Sequence, residues 1–245
     1  MSGRTKLIAV ESKLFLRDPT AVFFVIALPI MLLSIFHVIT THSHDDARTK
    51  AAMAAFVPAM AMSMCLTMLA LNVLPTTLAT YREKGSLRRM AASPVHPANL
   101  LGAQLFINLV TAVVSAVLVL VVGEAAFDTD MPGDFPAFLV AFALGTWALF
   151  AVGLLVAALA PSSKSATAIG LSLLFPSLFF GGVFLPKEDL PDAVSTVGDY
   201  TPLGAALQSL RDAWEGDRPS SLHLVVLAVT AVAATAVAAK LFRWE

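Results

Sequence analysis

Arg82, Lys84, Arg88 and Arg89 stand in one short run, Tyr81-Arg82-Glu83-Lys84-Gly85-Ser86-Leu87-Arg88-Arg89-Met90-Ala91-Ala92-Ser93-Pro94-Val95-His96-Pro97, with long apolar stretches on either side. The chemistry such a cluster offers is electrostatic docking. A charged side chain at the centre of a bilayer costs roughly 2.5 to 3.5 kcal/mol on the insertion scale, so the run must lie outside the hydrocarbon. Gly85, lacking Cβ, suits the left-handed end of one helix, and Ser86 suits the cap of the next. Leu87, Met90 and Ala91 recur at helical spacing and form an apolar face, while Arg88 and Arg89 point elsewhere. Pro94 and Pro97 then turn the chain back. The expected product is a short amphipathic helix at a membrane surface, shaped to seat against another protein.

Other residues with chemical potential are few. His42-Ser43-His44-Asp45-Asp46 offers imidazole and carboxylate, which suit zinc or copper, but the spacing matches no closed structural site and a solvated turn is expected. Asn72, Gln104 and Asn108 fall inside apolar stretches, where amides bond between helices more often than they hold a ligand. Cys65, the single cysteine, also lies in an apolar run, which excludes a disulfide framework and a cysteine metal site. No Gly-x-x-x-x-Gly-Lys-Ser/Thr loop occurs, so nucleotide hydrolysis belongs to a separate chain if it is involved. Neither a serine elbow, a Cys/His pair nor paired carboxylates appear, and no metal is expected.

The elements that position these residues are membrane spans. Of 245 residues, 58% are hydrophobic and only 13% charged, and mean hydropathy is +0.80; a soluble domain runs about 45 to 50% apolar. The fold class expected is an all-α integral membrane protein. Because about 20 apolar residues cross a bilayer, six spans are predicted near Thr20–Thr41, Ala51–Thr80, Asn99–Gly123, Phe135–Ala160, Ser165–Leu185 and Leu222–Leu241. The first begins too late and is flanked too poorly for a cleavable signal peptide, and is expected to stay as an anchor. Pro29, Pro58, Pro75 and Pro176 lie inside spans and predict kinks. No predicted span carries Asp, Glu, Lys or Arg in its middle, which argues against proton relays and intramembrane metal sites. Gly145, Gly153 and Ala157, and Ala228, Ala231, Ala234 and Ala238, are small residues spaced for close helix packing.

Orientation follows from the cations. With the N-terminus inside, eleven lysines and arginines fall in inner segments and five in outer ones, so both termini are expected in the cytoplasm and the basic run faces the cytosol. Residues 1–19 predict an interfacial elbow helix: Leu7, Val10 and Leu14 share a stripe, Arg17 closes it, and Asp18-Pro19 ends it. The outer stretch 186–221 predicts two short amphipathic helices divided at Gly198-Asp199-Tyr200-Thr201-Pro202. They either dip into the outer leaflet or cap the surface.

Four segments resemble the membrane subunits of ABC-2 type transporters, exporters similar to the daunorubicin-resistance permease. Leu16-Arg17-Asp18-Pro19 with Pro29 is similar to that family's opening, and Tyr81 to Met90 with Ser93-Pro94-Val95 to its first cytoplasmic loop, although the family often has an acidic residue where Tyr81 stands. Pro176-Ser177-Leu178-Phe179-Phe180-Gly181-Gly182-Val183-Phe184-Leu185-Pro186 resembles the fifth span and its exit, and Tyr200-Thr201-Pro202-Leu203 to Leu210-Arg211 the stretch before the last span. The likeness covers nearly the whole chain as one transmembrane domain, 1–245. It implies a permease subunit in the cytoplasmic membrane that pairs with a second copy or a related permease and with a separate ATP-binding cassette ATPase. ATP and Mg would be held on that partner, with no cofactor bound by this chain and no nucleic acid involved. The loop 81–97 would be the coupling helix, with Glu83, Gly85, Leu87, Arg88, Arg89 and Met90 facing the ATPase. Phe179, Phe180, Phe184 and Tyr200 would be outer gate candidates.

Two other functions fit the same residues: a membrane scaffold that recruits a soluble partner without transport, and an ion-coupled secondary carrier. Spans without charge suit a hydrophobic or amphipathic cargo such as a drug, antibiotic, lipid or polyketide.

Overall fold

A backbone that crosses hydrocarbon must satisfy its own N–H and C=O groups, and every regular element found is a helix. The computed structural model describes residues 19–42, 47–85, 98–127, 129–184, 187 and 190–241, and no strand occurs among them. The predicted elbow helix, with Leu7, Val10, Leu14 and Arg17, lies outside the described residues. So do Leu87, Arg88, Arg89 and Met90 of the predicted coupling helix.

In chain order the elements are α1 (Pro19–Val22), a π-helical turn (Phe23–Ala27) and α2 (Leu28–His42), which run on as one helix; then α3 (Ala47–Met68), a second π turn (Leu69–Val73) and α4 (Leu74–Glu83), again continuous. They are followed by α5 (Ala98–Phe127), α6 (Phe135–Leu159), α7 (Ser163–Phe180), α8 (Asp192–Asp199), α9 (Pro202–Glu215) and α10 (Ser221–Leu241). Among the described residues five helices are long and apolar enough to cross a membrane: Met53–Glu83, Leu100–Phe127, Phe135–Leu159, Ser163–Phe180 and Ser221–Leu241. The apolar part of the first predicted span, Val25–Ile39, is shorter; at 1.5 Å per residue it is about 22 Å long, less than the roughly 30 Å of a bilayer's hydrocarbon.

The helix Met53–Glu83 is the central pillar, 89% buried over its most apolar window. Both π turns have the same origin. Pro29 and Pro75 supply no N–H to the carbonyls four residues earlier, Val25 and Leu71, and the proline ring crowds those oxygens, so the helix widens just before each proline.

At the second π turn the carbonyls freed from helical bonding are covered by glycine. A Cβ at Gly170 of α7 would collide with the Leu71 oxygen, and one at Gly153 of α6 with the Ala70 oxygen. Lipid chains are as apolar as leucine, so such close approach of backbones, with Cα–H···O contacts, holds membrane helices together where the hydrophobic effect cannot. The expected small-residue seam is present: Gly145, Gly153, Ala157, Ala231, Ala234 and Ala238 are buried, while Ala228 is half-buried. Helix α6 packs along α10, with Ala148 clustered with Leu227 and Ala231, while Gly145 meets Ala206 of α9 and Gly153 meets the pillar.

The two short amphipathic helices predicted in 186–221 are present as α8 and α9. Helix α8 is half exposed, but α9 buries Leu203, Leu207, Leu210 and Trp214 and packs against α6, α3 and α10. Thr201 caps α9, its hydroxyl accepting the Gly204 N–H at 3.1 Å. At the other end Trp214 Nε1 donates to the Asp130 carbonyl at 2.8 Å and its ring meets Phe138 edge-on at 5.7 Å. Helix α9 is thus wedged into the end of the bundle.

Candidate functional site

The basic run begins at the C-terminus of α4, and its first residues show how that end is built. Lys84 N donates to the Thr80 carbonyl and Gly85 N to the Arg82 carbonyl, both at 3.0 Å. Gly85 takes φ +65°, the left-handed conformation expected of it. The chain therefore leaves the pillar by a defined turn.

Glu83 connects this end to a different span. Its Oε2 accepts the Ser163 main-chain N–H at 3.1 Å and the Ser163 hydroxyl at 2.8 Å. Ser163 is the first residue of α7, where N–H groups have no helical partner and the helix dipole favours an anion. Ser162 completes the cap in the reciprocal manner: Ser165 N donates to Ser162 Oγ at 3.2 Å, and Ser162 N to Ser165 Oγ at 2.9 Å. Lys164 and Lys84 stand close enough to act on the carboxylate. Two turns back along α4 and one turn into α7, the Thr76 and Thr167 hydroxyls lie 3.2 Å apart, a second tie between the two helices.

Helix α7 carries this connection to the opposite end. There Gly181 N donates to the Ser177 carbonyl at 2.8 Å, and the Phe180 carbonyl lies so close to Gly198 that a Cβ would not fit between them. Asp199, one residue on, is a junction: Lys187 Nζ donates to both its oxygens, to Oδ2 at 2.7 Å, and His223 Nε2 of α10 lies 3.0 Å from Oδ1. Burial alone would raise the Asp199 carboxyl, and the hydrogen bonds and charge of Lys187 and His223 outweigh it, so it titrates below the ordinary aspartate value. The loop after α7, the end of α8 and the start of α10 are pinned at one carboxylate.

The four outer gate candidates occupy this end. Phe179 and Phe180 meet edge-on at 5.3 Å. Phe179, Phe184 and Tyr200 are exposed and Phe180 is half-buried. Among the amides, Asn108 Nδ2 donates to the Gln104 carbonyl of its own helix at 2.9 Å, where a bond between helices was expected. Cys65 accepts the Ser115 hydroxyl of α5 at 3.1 Å, which joins α3 to α5. His42 Nδ1 lies 2.9 Å from the Val38 carbonyl of its own helix.

Sequence reasoning missed Ser163, Thr167, Lys187, Asp199 and His223. Pro161-Ser162-Ser163-Lys164-Ser165 is a helix-start pattern that places the beginning of α7, but nothing in it names Glu83, eighty residues earlier, as the partner.

A multi-pass helical membrane protein is the class these elements define. The ABC-2 type transporter family model matches residues 6–214, and the chain belongs to that family. Two curated relatives are the inner membrane transport permease YhhJ of Escherichia coli (strain K12) and its namesake in Shigella flexneri, each 25% identical over 139 residues, 56% of this chain. The aligned region is 37% of each relative, so the match spans little more than a third of their length.

Proposed function

We propose that this chain is the permease subunit of an ATP-driven exporter, seated in the cytoplasmic membrane with both termini in the cytosol. It moves a hydrophobic or amphipathic compound outward and pairs with a second permease copy and a separate ATP-binding cassette ATPase. The first span is a sixth crossing, with an elbow helix before it. Family membership favours this reading, and one observation says how coupling would work: the bond of Glu83 to Ser163.

Loop 81–97 docks in the ATPase, with Leu87, Arg88, Arg89 and Met90 at the contact. When ATP binding closes the nucleotide subunits, the loop moves as a body and pulls on α4 through the Gly85 turn. Glu83 and the Thr76–Thr167 pair pass that displacement to α7. Its far end bears on α8 and α9 through Phe180 and Gly198, so a push at one face changes the aromatic cluster at the other. Rigid-body rocking about a midplane pathway is the general form of such alternating access.

Purification of the tagged chain from native membranes tests the partnership. An ATP-binding cassette subunit is expected to accompany it and to be lost with Arg88→Glu. Recovery of the chain without any such subunit would overturn the reading.

A further inference from the structure

A cavity of about 290 Å³ lies between α2, α3 and the end of α5, at the end of the bundle away from Glu83 and Ser163. Leu33, His37 and Thr41, spaced by one helical turn, line it as a single stripe that grows more polar toward the end of α2. Phe36, Val57 and Phe127 complete an apolar wall, with the His37 and Phe127 rings 5.4 Å apart. None of the described residues that line it is Asp, Glu, Lys or Arg.

Pro58 and Ala54 add the second observation. Both line the cavity, and Pro58 stands inside α3 four residues after Ala54. Having no N–H, Pro58 leaves the Ala54 carbonyl without its helical donor. In the pillar the equivalent carbonyl of Leu71 is covered by Gly170, whereas Ala54 is exposed. Inside a membrane an acceptor of this kind favours any donor that reaches it.

We infer that this cavity binds one small uncharged molecule with an aromatic or alicyclic body and a single hydroxyl or amide donor. The body lies against Phe36, Val57 and Phe127, and the donor meets the Ala54 carbonyl or the Thr41 oxygen. The volume is at the lower end of ligand pockets, about 300 to 1,000 Å³, which limits the occupant to a compact ring system. The site lies within one chain and needs neither the ATPase nor a second permease, so it stands or falls separately from ATP-driven export.

The test uses the full chain in phosphatidylcholine nanodiscs, with 1-naphthol as probe and 1-methylnaphthalene as its donor-free match, and follows probe fluorescence against empty discs. Saturable binding of one 1-naphthol per chain is expected, weaker for 1-methylnaphthalene by about five- to tenfold, the factor one net hydrogen bond supplies. Val57→Trp, which fills the space, should abolish the saturable component. Ala54→Leu, a milder intrusion, should reduce it in a chain that still elutes as wild type. Pro58→Ala, which restores the missing N–H, should narrow the gap between the two probes. Linear partitioning equal to that of empty discs would overturn the site, as would saturable binding unchanged by both Val57→Trp and Ala54→Leu. Equal affinity for the two probes would overturn the donor role.

Discussion

Glu83 and Ser163 lie eighty residues apart in the chain and share two hydrogen bonds, one from the Ser163 N–H at 3.1 Å and one from its hydroxyl at 2.8 Å. The last helical residue of the central pillar is thereby fastened to the first residue of α7. Ser163→Ala removes one of the two bonds, and Glu83→Gln removes the charge while keeping the shape. Export should fall with both, and further with Glu83→Ala, at unchanged membrane abundance. Transport by Glu83→Ala equal to wild type would show that the link transmits nothing.

Gly85 stands at φ +65° at the point where the basic run leaves α4. A left-handed residue with a Cβ costs roughly 1 to 2 kcal/mol, and a β-branched side chain is the worst case. Gly85→Val should insert normally yet lose nucleotide-coupled transport, and Gly85→Asn should lose less, because Asn tolerates the conformation. Equal activity of the valine variant would mean that this turn does not set the direction of the loop.

Gly153 and Gly170 cover the Ala70 and Leu71 carbonyls of the π turn so closely that a Cβ at either would strike oxygen. Overpacking typically costs about 1 to 3 kcal/mol, and a collision with backbone belongs at the upper end. Gly170→Ala and Gly153→Ala should each lower the melting temperature in detergent. The exposed Ala168→Gly, on the same helix as Gly170, should change it far less.

Asp199 joins Lys187 and His223. Its carboxyl titrates below the ordinary aspartate value of 3.8 in the folded chain, so the stabilisation it provides is fully present above that value and disappears as pH falls through the lower folded value. Asp199→Asn should therefore melt earlier than wild type at pH 7, and the two should converge as pH drops below 3.8. The Lys187 side chain is 35% exposed, so added salt should shrink the difference at pH 7. A gap independent of pH would assign the effect to packing.

Hydropathy and proline spacing made most of the helices legible. The long apolar runs placed α3 to α7 and α10 to within a few residues; of the four prolines expected to kink spans, Pro29 and Pro75 follow π turns while Pro58 and Pro176 sit in α-helix. Gly85 was readable because a helix end among charges has a local chemical cause. The partners were not. Whether α9 caps the bundle or enters it depends on what Leu203, Leu207 and Trp214 meet, and an amphipathic stripe is compatible with lipid and with protein alike. Glu83–Ser163 and Asp199–His223 bring together residues from different elements, and no local pattern encodes such pairs. The glycines on the Ala70 and Leu71 carbonyls read only as small residues suited to packing, with nothing to show which oxygen each would cover.

Reconstitution of the chain with its co-purified ATPase in sealed vesicles tests the proposed coupling most directly, with transport of a fluorescent amphipathic dye and ATP hydrolysis measured together. Dye-stimulated hydrolysis and nucleotide-dependent transport are expected, both diminished by Glu83→Ala. Dye movement driven by an ion gradient without nucleotide, or hydrolysis indifferent to both dye and Glu83→Ala, would contradict it.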